Sequence, residues 1–147
     1  MDEYGLLEFN TAFDLYQKLK HDYEILCMEE NSNNYMNFIL VADHLKDWIE
    51  EDNTISSEKK VEALSLLKQS NHDIFTNMAN RAKHFFCRNK QRIYTKDDYI
   101  PGLDFSTADF SKWNFEEPLY LIEYDGKETA LLPECEKIFN TYKIIFE

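Results

Sequence analysis

The sequence predicts a mainly α protein, a bundle of four to five helices with a small C-terminal β-hairpin. Three observations carry this. Apolar residues recur with the helical period of about 3.6 residues as far as residue 87. Glycine and proline number three each in 147 residues, so turns are few and helices run long. A single Asp-Gly pair, Asp125-Gly126, stands between two short apolar runs, the arrangement that favours a tight type I′ hairpin turn.

The elements follow in order. Residues 9–30 read as a helix with Phe9, Ala12, Phe13, Tyr16, Leu19, Tyr23 and Leu26 on one stripe. The polar run "EENSNN" ends it, and Asn33 or Asn34 caps the next helix. That second helix, 35–51, presents a wide apolar face of Phe38, Ile39, Val41, Ala42, Leu45, Trp48 and Ile49, which places it at the centre with Trp48 buried. Ser56 or Ser57 caps a third helix with Val61, Leu64 and Leu67 inward. A break near "QSNHD" precedes a fourth helix over 73–87, carrying Ile74, Phe75, Met78, Ala79, Ala82, Phe85 and Phe86. From 95 to 117 periodicity is lost, which predicts a long loop pinned by Phe105, Phe110, Trp113 and Phe115. The hairpin spans about 119–132, and a closing helix over 134–146 carries Ile138, Phe139, Tyr142, Ile145 and Phe146. The whole chain, 1–147, reads as one helical-bundle domain.

Composition narrows the function classes. Hydrophobic residues make up 44% and aromatics 15%, enough apolar surface to offset the entropy of ordering. No apolar run approaches the roughly 18 to 20 residues needed to cross a bilayer, and the acidic N-terminus does not follow a signal-peptide pattern, so a cytoplasmic location is expected. Cys27, Cys87 and Cys135 lack CxxC spacing, which predicts free thiols. Three glycines cannot build a phosphate loop or a dinucleotide fingerprint, so no cofactor is expected.

Charge is unevenly distributed. The chain has 28 acids against 16 bases, yet residues 81–96 hold six Lys/Arg and no Asp or Glu. On a continuous helix Asn77, Asn80, Arg81, His84 and Arg88 share a face, with Lys83, Lys90 and Arg92 around them. Cations near a helix C-terminus also satisfy the helix dipole. These eight residues are the candidate binding surface, for a protein partner, a second copy of the chain or RNA. Arg81 and His84 are the candidate catalytic pair for phosphodiester cleavage, as electrostatic stabiliser and general base. In the second helix, "ADHLKDW" sets Asp43 and Asp47 four residues apart with His44 between them. A polar seam facing bases of the fourth helix is expected there, and no metal site, because no strong ligand spacing is present.

"ADHLKDWI" followed by "NMANRAKHFF" resembles a group of small bacterial and phage helical proteins with an A-x-H-L-x-D-W helix, an N-x-x-K-H-F helix, a "DGK" hairpin and an aromatic-rich final helix. The match covers residue 35 to the end. The arrangement is similar to bundles of the HEPN type, common in toxin–antitoxin and anti-phage systems and often metal-independent ribonucleases. Their signature is an Arg, then a polar residue, with a His four to six residues after the Arg. Here Ala82 follows Arg81, His84 comes only three residues after it, and neither Arg88 nor Arg92 has a His after it. The resemblance therefore implies a conflict-system protein that binds RNA or a protein and whose nuclease centre is absent or rearranged. The alternative from charge is a phage-encoded acidic inhibitor that mimics nucleic acid to block a host nuclease.

Overall fold

The computed structural model describes residues 5–84, 92–96 and 119–147. The chain is mainly helical, with helices α1 (Ala12–Met28), α2 (Ser32–Glu51), α3 (Ser57–Gln69), α4 (His72–Lys83) and α5 (Leu131–Phe146). The strands β1 (Arg92–Lys96), β2 (Leu119–Tyr124) and β3 (Lys127–Ala130) form an antiparallel sheet in the order β1-β2-β3. The chain groups into two compact units, 1–89 with 134–147 and 90–133.

In the helical unit, α2 is central and packs against α1, α3 and α4. Its inward residues Tyr35, Phe38, Ile39, Val41, Ala42, Leu45 and Ile49 are all buried. Against them lie Leu15, Leu19 and Leu26 of α1 and Ile74, Phe75 and Met78 of α4, and Phe38 meets Phe75 edge-on at 6.1 Å. Trp48 departs from the sequence expectation: it is only half-buried. The inward repeat Ala42–Leu45–Ile49 leaves position 48 about 100° round the helix from Ile49, at the margin of the core. Val61, also expected inward, is 70% exposed, and Leu64 is half-buried. α3 buries a narrower strip, Ala63 and Leu67, continued by Ser70 beyond its end.

The starts of α1, α2 and α3 are set by side-chain caps. α1 begins at Ala12 rather than residue 9, because Thr11 and Asp14 close a capping box, each side chain accepting the other's backbone N–H. Phe9 instead belongs to a reverse turn in which Leu6 and Phe9 exchange backbone hydrogen bonds of 3.0 and 2.9 Å. Gly5 allows this turn at φ +100°, since a Cβ there would lie 2.5 Å from the Phe9 carbonyl oxygen. α2 is capped by Asn31, which accepts from the Asn34 N–H, and not by Asn33 or Asn34. Ser56 caps α3. α5 starts three residues earlier than its apolar pattern, with Pro133 in the first turn, where no N–H is required.

In the sheet unit the hairpin forms as the Asp-Gly pair predicts. Tyr124 pairs with Lys127, and Asp125 and Gly126 take φ of +50° and +75°, both positive as a type I′ turn demands. β1 adds a third strand to β2, from Arg92 opposite Glu123 to Lys96 opposite Leu119. Thr95 and Lys96 are therefore strand, where the sequence predicted the start of the loop. The pinning residues Phe105, Phe110, Trp113 and Phe115 lie outside the described residues.

Candidate functional site

The basic segment is divided between two elements. α4 ends at Lys83 and not at residue 87: His84 is its C-cap, with extended backbone (φ −118°, ψ 128°) and its N–H donated to the Asn80 carbonyl at 3.0 Å. No glycine or proline marks this end, so nothing in the apolar pattern announces it. Along α4 itself, Asn77 is half-buried and Asn80, Arg81, Lys83 and His84 are exposed. Arg81 and Lys83 sit in the last turn, where cations complement the C-terminal end of the helix dipole. Arg88 and Lys90 lie outside the described residues. Arg92 opens β1, in register with Glu123 of β2.

The candidate catalytic pair, Arg81 and His84, lies at the C-terminal end of α4. Both are exposed, Arg81 in the last turn and His84 at the C-cap with extended backbone. Electrostatic stabilisation of a developing charge is strongest where water is excluded, which is not the setting of either side chain.

The polar seam between α2 and α4 exists with a different membership. Of the three residues expected in it, Asp43 alone takes part, accepting from the Thr76 hydroxyl at 2.7 Å. His44 and Asp47 are exposed. The other members are His72 and Thr76 of α4 and Tyr142 of α5. His72 is 4% exposed, with Nε2 3.2 Å from the Ala42 carbonyl oxygen and Nδ1 3.4 Å from Thr76 Oγ1. A carbonyl only accepts, so Nε2 carries the proton and Nδ1 is bare. Tyr142 donates to the same Ala42 oxygen at 2.6 Å. Burial lowers the His72 pKa below the ordinary imidazole value, although the Ala42 carbonyl and the Asp43 carboxylate oppose it.

Hydroxyl, imidazole and carboxylate are thus adjacent but not wired as a nucleophile. The Thr76 proton goes to Asp43, and His72 spends its own proton on a backbone carbonyl. The seam orients α4 and α5 on α2. Its sequence signal is His72 and Thr76 at i, i+4, one helical face turned toward Asp43.

A groove of about 440 Å³ lies between α3 and α5, with Ile49, Ile55, Ala63, Leu66, Ile145 and Phe146 in its walls. Of the two carboxylates in its lining, Asp52 and Glu62, Asp52 is already engaged, accepting from the Ala12 N–H at 2.8 Å and from the Thr54 N–H and hydroxyl at 2.8 and 2.6 Å. These bonds tie the start of α1 to the α2–α3 loop. Among the described residues, no group of three or more His, Cys, Asp or Glu could hold a metal ion. No described helix is long and apolar enough to cross a membrane. No family model, curated protein or solved structure matches the chain.

Proposed function

We propose that this chain is a binding protein that engages an acidic protein partner through the basic segment 81–96, and that it acts as a HEPN-like member of a bacterial conflict system. One observation supports the contact above all: Asn80, Arg81, Lys83 and His84 are exposed together at the end of α4, on a chain whose first 80 residues carry 16 acids and 6 bases. The surrounding carboxylates confine the positive field to a small patch and repel long nucleic acid at a distance. The HEPN-like placement rests on the sequence resemblance alone.

The test is charge reversal at two exposed positions, Arg81→Glu with Lys83→Glu. The partner is first captured with the parent protein from its source cells and then purified. The double variant keeps the parent's melting temperature and loses partner binding, and parental binding weakens as salt rises. Equal binding by parent and variant refutes the reading. Capture of RNA in place of protein moves it to nucleic acid.

A second reading, a phage-encoded inhibitor that mimics nucleic acid, is favoured by a different observation. Asp47, Glu50 and Glu51 at the end of α2 and Glu58 and Glu62 of α3 are exposed. Under this reading Glu50→Lys with Glu51→Lys abolishes binding to a host nuclease, and the Arg81/Lys83 reversal leaves it intact.

A further inference from the structure

Two stacked aromatic pairs set the register of α1 against α5. Tyr16 stacks on Phe146 with ring centroids 4.9 Å apart, and Tyr23 stacks on Phe139 at 4.4 Å. Seven residues forward along α1, from 16 to 23, match seven residues back along α5, from 146 to 139, so the helices run antiparallel past each other. One more turn is four residues forward from Tyr23 and four back from Phe139. It arrives at Cys27 and Cys135.

The two thiols therefore occupy facing positions one turn beyond the Tyr23–Phe139 stack. They differ in access: Cys27 is exposed, one residue from the end of α1, and Cys135 is completely buried. Both are free. Their proximity is also felt electrostatically. Burial, then the Glu134 carboxylate and the Cys27 thiol, push the Cys135 thiol well above its ordinary value. Burial and then Cys27 raise the Tyr23 phenol.

We propose that Cys27 is an oxidation site for hydroperoxides and that Cys135 is its resolving thiol, the product being a disulfide between the last turn of α1 and the first turns of α5. The division of labour follows from access. A peroxide reaches Cys27 and does not reach Cys135, which stays protonated and inert until a partner sulfur is presented to it. In the first step the Cys27 thiolate attacks the peroxide O–O bond, giving a sulfenic acid and an alkoxide or hydroxide that takes a proton from water. In the second, Cys135 sulfur attacks the sulfenic sulfur. The departing hydroxide takes the Cys135 proton and leaves as water. Two thiols and one hydroperoxide become a disulfide, an alcohol (water, from hydrogen peroxide) and a water.

Disulfide formation requires Cα atoms roughly 4.4–6.8 Å apart, so the last turn of α1 must close onto α5. That turn is suited to move. The Glu29 N–H meets the Ile25 carbonyl at 3.0 Å, and the turn carries no basic residue to complement the helix dipole at its end. The Tyr23–Phe139 stack, one turn earlier, holds the rest of the helix in place.

The test treats the full chain with a few-fold excess of hydrogen peroxide, alkylates remaining thiols and maps peptides by mass spectrometry. Cys27 and Cys135 appear as one cross-linked peptide pair, lighter by two hydrogens and reversed by dithiothreitol, and this pair outnumbers any containing Cys87. In Cys135→Ala, Cys27 accumulates as a sulfenic acid trapped by dimedone. Cys27→Ser, at an exposed position that leaves the core intact, forms no cross-link and keeps Cys135 reduced. The proposal is overturned if Cys27 resists oxidation, if it proceeds to sulfinic acid while Cys135 stays free, or if it pairs only between molecules.

Discussion

Acidification should weaken this protein through His72. The imidazole is buried among Asp43 and Lys46 of α2, Thr76 of α4 and Tyr142 of α5, and its folded-state pKa lies below the ordinary value of 6.5. The sign follows from linkage. Above about pH 6.5 the ring is neutral in both the folded and the unfolded chain, so it contributes no pH dependence. As pH falls below that value the unfolded chain takes up a proton that the folded chain refuses. Stability is then lost at up to about 1.4 kcal/mol per pH unit, until the folded pKa is reached. Asp14 and Asp52, bonded to backbone N–H groups, and Glu147, bonded to Tyr16, all have lowered pKa values, so their losses belong to a more acidic range. The control is His72→Phe. It strands no partner, because the Ala42 carbonyl keeps the Tyr142 hydroxyl and Thr76 keeps Asp43. Urea unfolding at about pH 7.5, 6.5 and 5.5, followed by far-UV circular dichroism, should show the parent weakening across the lower interval and the variant nearly flat. A parent whose stability holds or rises from about pH 6.5 to 5.5, or a variant with the parental slope, would show the reasoning to be wrong.

Two further outcomes follow from the packing. Phe75→Ala empties a fully buried site and should cost about 3–5 kcal/mol, whereas Trp48→Ala, at a half-buried position, should cost about half as much; equal losses in thermal or urea unfolding would contradict their different burial. At Gly126 a Cβ would meet nothing within 4 Å, so Gly126→Val should be penalised by backbone conformation alone, by about 1 kcal/mol or more, and Gly126→Asn by less; similar melting temperatures for all three proteins would mean that the hairpin does not need its positive φ.

Local chemistry made much of the fold readable in the sequence. The Asp125-Gly126 turn, the Ser56 cap and the central position of α2 depend on residues within one or two turns of each other, and each appears as expected. The end of α4 at Lys83 was not readable, because the apolar pattern runs on to Phe86 and no helix-breaking residue intervenes. β1 was hidden for a related reason: a five-residue strand acquires its hydrogen bonds from β2, 23 residues away in sequence at the nearest pair, Lys96 with Leu119, and 31 at the farthest, Arg92 with Glu123. The polar seam shows the division most clearly. "ADHLKDW" announced three polar groups on α2, but only the arrival of Thr76 and His72 from α4 decided that Asp43 alone turns inward. The facing of Cys27 and Cys135 is of the same kind. Sequence supplies two thiols 108 positions apart, and the stacking of Tyr16 and Tyr23 on Phe146 and Phe139 decides that they take facing positions on α1 and α5. Periodicity and turn chemistry act through the chain over a few residues. Which side chains share a site is decided by packing between segments far apart in sequence, and that is settled only when the helices close on one another.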